Sequence, residues 1–250
     1  MKYTIMSKQE GPPKTDSLPS LQVENLTKQV GDFILDAHFT VAAGERAILL
    51  GPSGSGKTTL LRILAGLEPL CPPRDCGKIR LGDTEITHLP PQERDIAFVF
   101  QDATLFPAMN VLENVTFALK MRGISAEERG AQADHWLEKV DLKAKKYSGV
   151  THLSGGEKQR VAFVRALIWK PRLILLDEPF SALDTQLREL LRKELLDLHK
   201  LWPAPLVLVT HDRADIQAVG TVKLSLSSIK NSSDKNASNR DTQIRKIRRD

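Results

Sequence analysis

Gly51-Pro52-Ser53-Gly54-Ser55-Gly56-Lys57-Thr58 follows the apolar run Ala47-Ile48-Leu49-Leu50 and leads into a helical pattern from Thr58 to Gly66. Glycines in such a loop let the backbone wrap closely. Its amide N–H groups then point inward, and the following helix presents its positive end, so several phosphate oxygens can be bound at once. Lys57 is placed to hold β- and γ-phosphates and Thr58 to ligate Mg2+. A chance glycine-rich turn would not carry the full pattern between a strand and a helix.

Three other apolar runs end as abruptly. Ile96 to Phe100 stops at Gln101, Leu173 to Leu176 at Asp177, and Leu206 to Val209 at Thr210 and His211. These read as buried strands. Helical patterns at Ser181 to Lys200 and Arg213 to Val219 follow two of them, so a mostly parallel sheet covered by helices is the economical fold. Ligands sit outside the carboxyl ends of such strands. Four strands thus deliver chemically able residues to one edge.

At that edge Asp177 suits the Mg2+ shell, while Glu178 can orient and polarise a water attacking a γ-phosphate. A second candidate anion site is Leu153-Ser154-Gly155-Gly156-Glu157, which opens the helical stretch Lys158 to Trp169. Free N–H groups, a hydroxyl and the helix dipole converge there. Read alone, the same five residues describe an ordinary capped helix equally well.

The composition, 41% hydrophobic and 27% charged over 250 residues, is that of a globular protein. No apolar run approaches the roughly 20 residues needed to cross a bilayer, so a membrane role has to be borrowed from a partner. Met1 to Ser20 carries Pro12, Pro13 and Pro19 and no apolar block, and reads as a flexible lead-in rather than a secretory signal. Cys71 and Cys76 have only His88 nearby as a further ligand, so they read as reduced thiols. Of the net charge of +5, the stretch from Lys230 to Asp250 contributes +4, which leaves the body nearly neutral. That distribution argues against a nucleic-acid partner. Residues 227–250, rich in Ser, Asn and Lys, read as a disordered basic tail.

Over nearly all of Leu21 to Gly220 the chain resembles the ABC-family ATPases. Beyond the phosphate loop and the signature at Leu153 to Glu157, Gln101 matches the family's Q-loop, Ser181-Ala182-Leu183-Asp184 its D-loop and His211 its switch histidine. The resemblance implies an α/β P-loop NTPase with a mostly parallel core sheet, an N-terminal β sub-domain and an inserted helical signature sub-domain. The ATPase domain would span 21–226, with the helical part at about 102–152. ATP would lie on Gly51 to Thr58 and Thr59 of one protomer and be closed over by Ser154, Gly155, Gly156 and Glu157 of a second, with Asp184 communicating across the dimer. Mg2+ would be ligated by Thr58, Gln101 and Asp177, and hydrolysis would rest on Glu178, His211 and Gln101.

Three departures stand out. Glu157 replaces the family's usual glutamine. Val30, in Leu26-Thr27-Lys28-Gln29-Val30-Gly31, falls where the family has an adenine-stacking aromatic, and Phe33 is the ring that could substitute. After Asp212 the closing strands match poorly, and from Ser227 no family pattern is visible.

Phe106, Pro107, Met109 and Val111 to Met121 supply an apolar surface suited to a partner helix. The wording Leu105-Phe106-Pro107 followed by Asn110-Val111 resembles bacterial import subunits for polyamines, thiamine and oxyanions. The expected protein is therefore an ATP-hydrolysing subunit, cytoplasmic and peripheral on the inner face of the cell membrane. It would form an ATP-dependent homodimer and energise import through a separate integral membrane permease, with a solute-binding protein as a further partner. The alternative is a soluble ABC-type ATPase acting in translation or DNA repair; the paired ATPase units, coiled coils or zinc insertions of those members are not visible. A non-hydrolysing module is disfavoured, since Lys57, Asp177, Glu178 and His211 are all present.

Overall fold

Period-two burial opens the chain: in β1 (Leu21–Val30), Leu21 and Val23 are buried while their neighbours are not. The computed structural model describes residues 18–30, 33–73, 75–181, 183–230 and 240–248, and the side chains of Phe33 and of residues from Leu226 onward lie outside that description. β1 pairs antiparallel with β2 (Phe33–Val41), the register shifting between Val23 and Leu26 around Asn25. β3 (Arg46–Leu50) runs into the phosphate loop and α1 (Lys57–Ala65). β4 (Cys76–Leu81) returns to the other edge of β1, with the short β5 (Thr84–Glu85) beside it.

β6 (Ile96–Val99) is followed by a helical region made of α2 (Val111–Met121), α3 (Ala126–Glu138) and α4 (Gly155–Leu167). Each of these helices starts at a side-chain cap: Asn110 and Ser154 in capping boxes with Glu113 and Glu157, and Ser125 accepting from the Glu128 amide. β7 (Leu173–Asp177), α5 (Thr185–Leu201), β8 (Leu206–Val209) and α6 (Arg213–Ala218) complete the central layers. α5 begins at Thr185 rather than at Ser181, because the Asp184 carboxylate accepts from the Leu187 amide at 2.9 Å and so fixes the first turn.

The strands form one sheet in the order β5-β4-β1-β2-β10-β9-β3-β8-β7-β6, where β9 is Val222–Lys230 and β10 is Arg240–Arg248. β9, β3, β8, β7 and β6 are mutually parallel. This confirms the α/β reading with a mostly parallel core. The central strands alternate between two cores. Ala47, Leu49, Leu175 and Val207 pack with Leu60, Leu61 and Leu64 of α1, while Ile48, Ile174, Leu176 and Leu208 pack with Val161, Phe163, Leu191 and Leu195 of α4 and α5. Strands covered on both faces read as continuous apolar runs, which is why these were visible in the sequence. At about 1.5–3 kcal/mol for each large buried aliphatic side chain, the two cores hold the strand ends in fixed register.

Two expectations are corrected. Residues 227–250 are not simply a structureless tail, since Val222–Lys230 and Arg240–Arg248 are strands paired from Lys230 with Arg240 to Val222 with Arg248. β10 also pairs in parallel with β2, filling a slot between two strands whose unpaired edges would otherwise be exposed. Charge-rich composition concealed a segment whose partners are supplied by distant strands. The helix Val111–Met121 is not mainly a docking surface, because Val111, Val115 and Leu119 are buried in the core, leaving Met121 and Phe106 exposed.

Candidate functional site

Gly54 and Gly56 take left-handed conformations, φ 75° and 90°, which an L side chain rarely adopts. They bend the chain so that α1 starts with no side-chain cap and no acidic residue in its first turn. Its first amides therefore have no acceptor within the helix and are left for a ligand. Lys57 Nζ donates to the Gly51 and Pro52 carbonyls at 2.9 and 2.8 Å, folding the ammonium back over the loop. Burial lowers its pKa, against the opposing charges of Glu178 and Asp177. Ser55 Oγ is buried with no partner among the described residues, a polar atom that a bound anion could satisfy.

β7 brings Asp177 to this loop, where Thr58 Oγ1 donates to Asp177 Oδ1 at 3.3 Å. Burial is the main cause holding the Asp177 pKa above the usual carboxylate range; the Thr58 bond opposes it and the neighbouring charge of Glu178 reinforces it. The hydroxyl and carboxylate are hard oxygen donors of the kind that bind Mg2+ together with substrate phosphates and water, so the residues present fit that ion. Glu178 adopts φ 46°, a left-handed conformation costing about 1–2 kcal/mol for a residue with a Cβ. It is held there by its amide donating to Val209 O at 3.0 Å and its carbonyl accepting from Ser181 Oγ at 3.0 Å. His211 Nδ1 stands 3.4 Å from Glu178 Oε1, with the imidazole largely exposed.

A cavity of about 290 Å3 opens here, lined by Ser53, Gly54, Gly56, Lys57, Thr58, Thr59 and Glu178, with Val209 as one wall and Val30 as another; Asp177 and His211 stand behind that lining, against Thr58 and Glu178. Residues 34–181, from β2 through the turn after β7, match the ABC transporter family. The chain belongs to that family. Among relatives, it is 44% identical over 203 residues to the spermidine/putrescine import ATP-binding protein PotA of Pseudomonas aeruginosa (strain UCBPP-PA14), covering 80% of this chain and 55% of the relative. It is 43% identical over 202 residues to the Fe(3+) ions import ATP-binding protein FbpC of Brucella abortus (strain 2308), covering 80% and 56%. The chain thus spans about half the length of the curated relatives it matches.

Not every ABC motif reaches the cavity. Gln101 is exposed just beyond β6 and does not line it. Ser154 also lies outside the lining, its hydroxyl accepting from the Glu157 amide at 3.3 Å. Gly156 packs closely on α5, since a Cβ there would sit 2.5 Å from Leu187 Cδ1 and displace that side chain. Asp184 caps α5, and Ala182, two residues before it, lies outside the described residues. So does the side chain of Phe33, the ring considered for the Val30 position.

Sequence reasoning missed a polar network behind His211. Arg192 of α5 donates to Asp215 at 2.5 Å, and both side chains are buried. Asp215 also accepts from Thr210 Oγ1 at 2.5 Å, and Thr210 Oγ1 accepts from the Asp212 amide at 3.1 Å. Arg188 pairs with Asp212 and donates to the Leu183 carbonyl at 2.9 Å, joining the D-loop segment to the histidine loop. The legible signal was the i, i+4 spacing of Arg188 and Arg192 on one helix face, opposite Asp212 and Asp215 at the start of the next helix.

Proposed function

We propose that this chain is the ATP-binding and ATP-hydrolysing subunit of a membrane importer, acting on the cytoplasmic face of the membrane through a separate permease. The observation that carries the reading is one cavity lined by the phosphate loop and Glu178, with Asp177 bonded to Thr58 and His211 beside Glu178 just outside the lining. The import function printed for the curated relatives supports its direction. Among the described residues no helix is long and apolar enough to cross a membrane, in keeping with a permease supplied by other chains.

In this reading the amides of Ser53 to Thr59 and Lys57 Nζ bind the triphosphate of ATP, Lys57 exchanging its loop carbonyls for phosphate oxygens. Mg2+, when bound to Thr58 and Asp177, would neutralise charge developing on the transferred phosphoryl group. Glu178 orients and polarises the attacking water, its strained backbone fixing the carboxylate at the cavity wall. His211, held beside Glu178, contacts the γ-phosphate.

Because Ser154 to Glu157 do not line the cavity of their own chain, they would close over ATP bound to a second copy, with Asp184 at the same interface. The permease would dock at the groove of about 360 Å3 lined by Asp102, Thr104, Leu105, Pro107, Val150 and Lys158, next to the exposed Phe106. The test is purification from membranes. An integral membrane protein should co-purify, and its reconstitution in lipid should raise ATP-dependent phosphate release. Association with ribosomes or DNA instead would favour a translation or repair ATPase and overturn the transport reading.

A further inference from the structure

The Ser154 end of α4 carries a charge that an anion site should not tolerate. Glu157 Oε2 accepts from the Ser154 amide at 2.9 Å, so a carboxylate sits against the first turn of the helix. A helix N-terminus offers about half a positive charge, which a full negative charge at that position more than cancels. A glutamine would complete the same capping box without that charge.

The compensating charge comes from outside the helix. Lys145, twelve residues earlier in a 3-10 turn at Lys143–Lys145, donates to Glu157 Oε1 at 2.5 Å. That turn is fixed to α2 by the Val111 amide on the Ser148 carbonyl at 3.1 Å and the Leu112 amide on the Lys146 carbonyl at 2.8 Å. Glu157 is thereby engaged at both oxygens, while the Gly155 and Gly156 amides have no acceptor within the helix. The Lys145 bond, with the Ser154 bonds, lowers the Glu157 pKa. The carboxylate is therefore a fixed negative charge at neutral pH.

We propose that Lys145 is a positioning residue for this helix end, neutralising Glu157 so that the Gly155 and Gly156 amides can donate to the phosphates of ATP bound to a second copy. The inference rests on the shared-site reading above. It makes the signature of this chain a two-part device, a glutamate that caps the helix and a lysine that cancels its charge.

The test is ATP-dependent dimer formation, measured by light scattering in a Glu178→Gln background. Lys145→Met should raise the half-saturating ATP concentration about threefold to tenfold, the size of one charge contact at a partly exposed helix end. Lys145→Arg should restore it. In a Glu157→Gln background, which keeps the capping box, Lys145→Met should have no further effect. A purely structural ion pair would lower the melting temperature of Lys145→Met and leave the ATP dependence unchanged, which would overturn the proposal. So would an equal loss in the Glu157→Gln background. If the Glu178→Gln parent forms no ATP-dependent dimer, the shared-site reading falls and this one with it. A dimerising parent indifferent to Lys145 removes only the role of the lysine.

Discussion

The two helix ends that can receive phosphate are built in opposite ways. α1 begins at Gly56 with no side-chain cap and no acid in its first turn, so its donors are open. α4 begins at Ser154 inside a complete capping box, with Lys145 closing over Glu157. In the proposed reading the open end binds a ligand on its own. The closed end already satisfies part of itself, and would add to binding only when a triphosphate is presented by another surface. This difference is the strongest structural reason to assign the first to capture of ATP and the second to closure over it.

The comparison breaks most visibly at the catalytic carboxylate. Glu178→Gln should lower kcat at least about 100-fold, the usual size of a lost general base, while ATP still binds the open end. Phosphate release at the wild-type rate would contradict the assignment.

Next in size is the contrast between the ends themselves. Lys57→Ala should weaken equilibrium ATP binding to the monomer about 10- to 100-fold, through loss of a charge-assisted contact. Ser154→Arg should leave that binding within about twofold and instead block dimer formation and turnover. Calorimetric titration separates the two. Equal losses of monomer binding would show that both ends already serve one chain.

A smaller effect is expected behind the histidine. Thr210→Val removes a donor to Asp215 and an acceptor of the Asp212 amide from a buried network. It should cost about 1–3 kcal/mol of stability and lower kcat several-fold at unchanged KM. A change in KM alone would place the network elsewhere in the cycle.

The smallest concerns the buried side of α4, where Glu194 of α5 stands 3.5 Å from Arg160. Burial raises its pKa to about 7 against the attraction of Arg160, with Asp141 and Asp197 adding to the rise. The folded chain thus retains a proton between pH 4.5 and about 7 that the unfolded chain releases, and stability falls as pH rises through this window. Glu194→Gln should remove that fall, so its melting temperature should gain on the wild type between pH 5 and 8. A constant difference across that range would contradict the assignment.

Legibility followed the range of the interactions. The phosphate loop, the carboxylates at the end of β7 and the four central strands were readable because each is a local pattern of glycines, short apolar runs and their terminating residues. The helix Val111–Met121 was placed at its observed bounds, since Asn110 and Glu113 mark its start. Its outward role was overread, because which apolar face is buried depends on α3 and α4. β10 was concealed because Arg240, Arg245, Lys246 and Arg248 suggest a solvated tail, while its ladder partners lie in β2 and β9. Lys145 could not be linked to Glu157 from spacing alone, since the backbone between them is placed by bonds to α2.

The shared site is tested most directly by crosslinking in a chain carrying Ser53→Cys, Ser154→Cys and Glu178→Gln, with the exposed Cys71 and Cys76 replaced by serine. Ser53 lines the open cavity and Ser154 caps the closed end, so a bond between them reports one end closing over the other. The account predicts a disulfide joining two chains that forms when ATP is present and not without it. Linkage within one chain, or linkage indifferent to ATP, would contradict it.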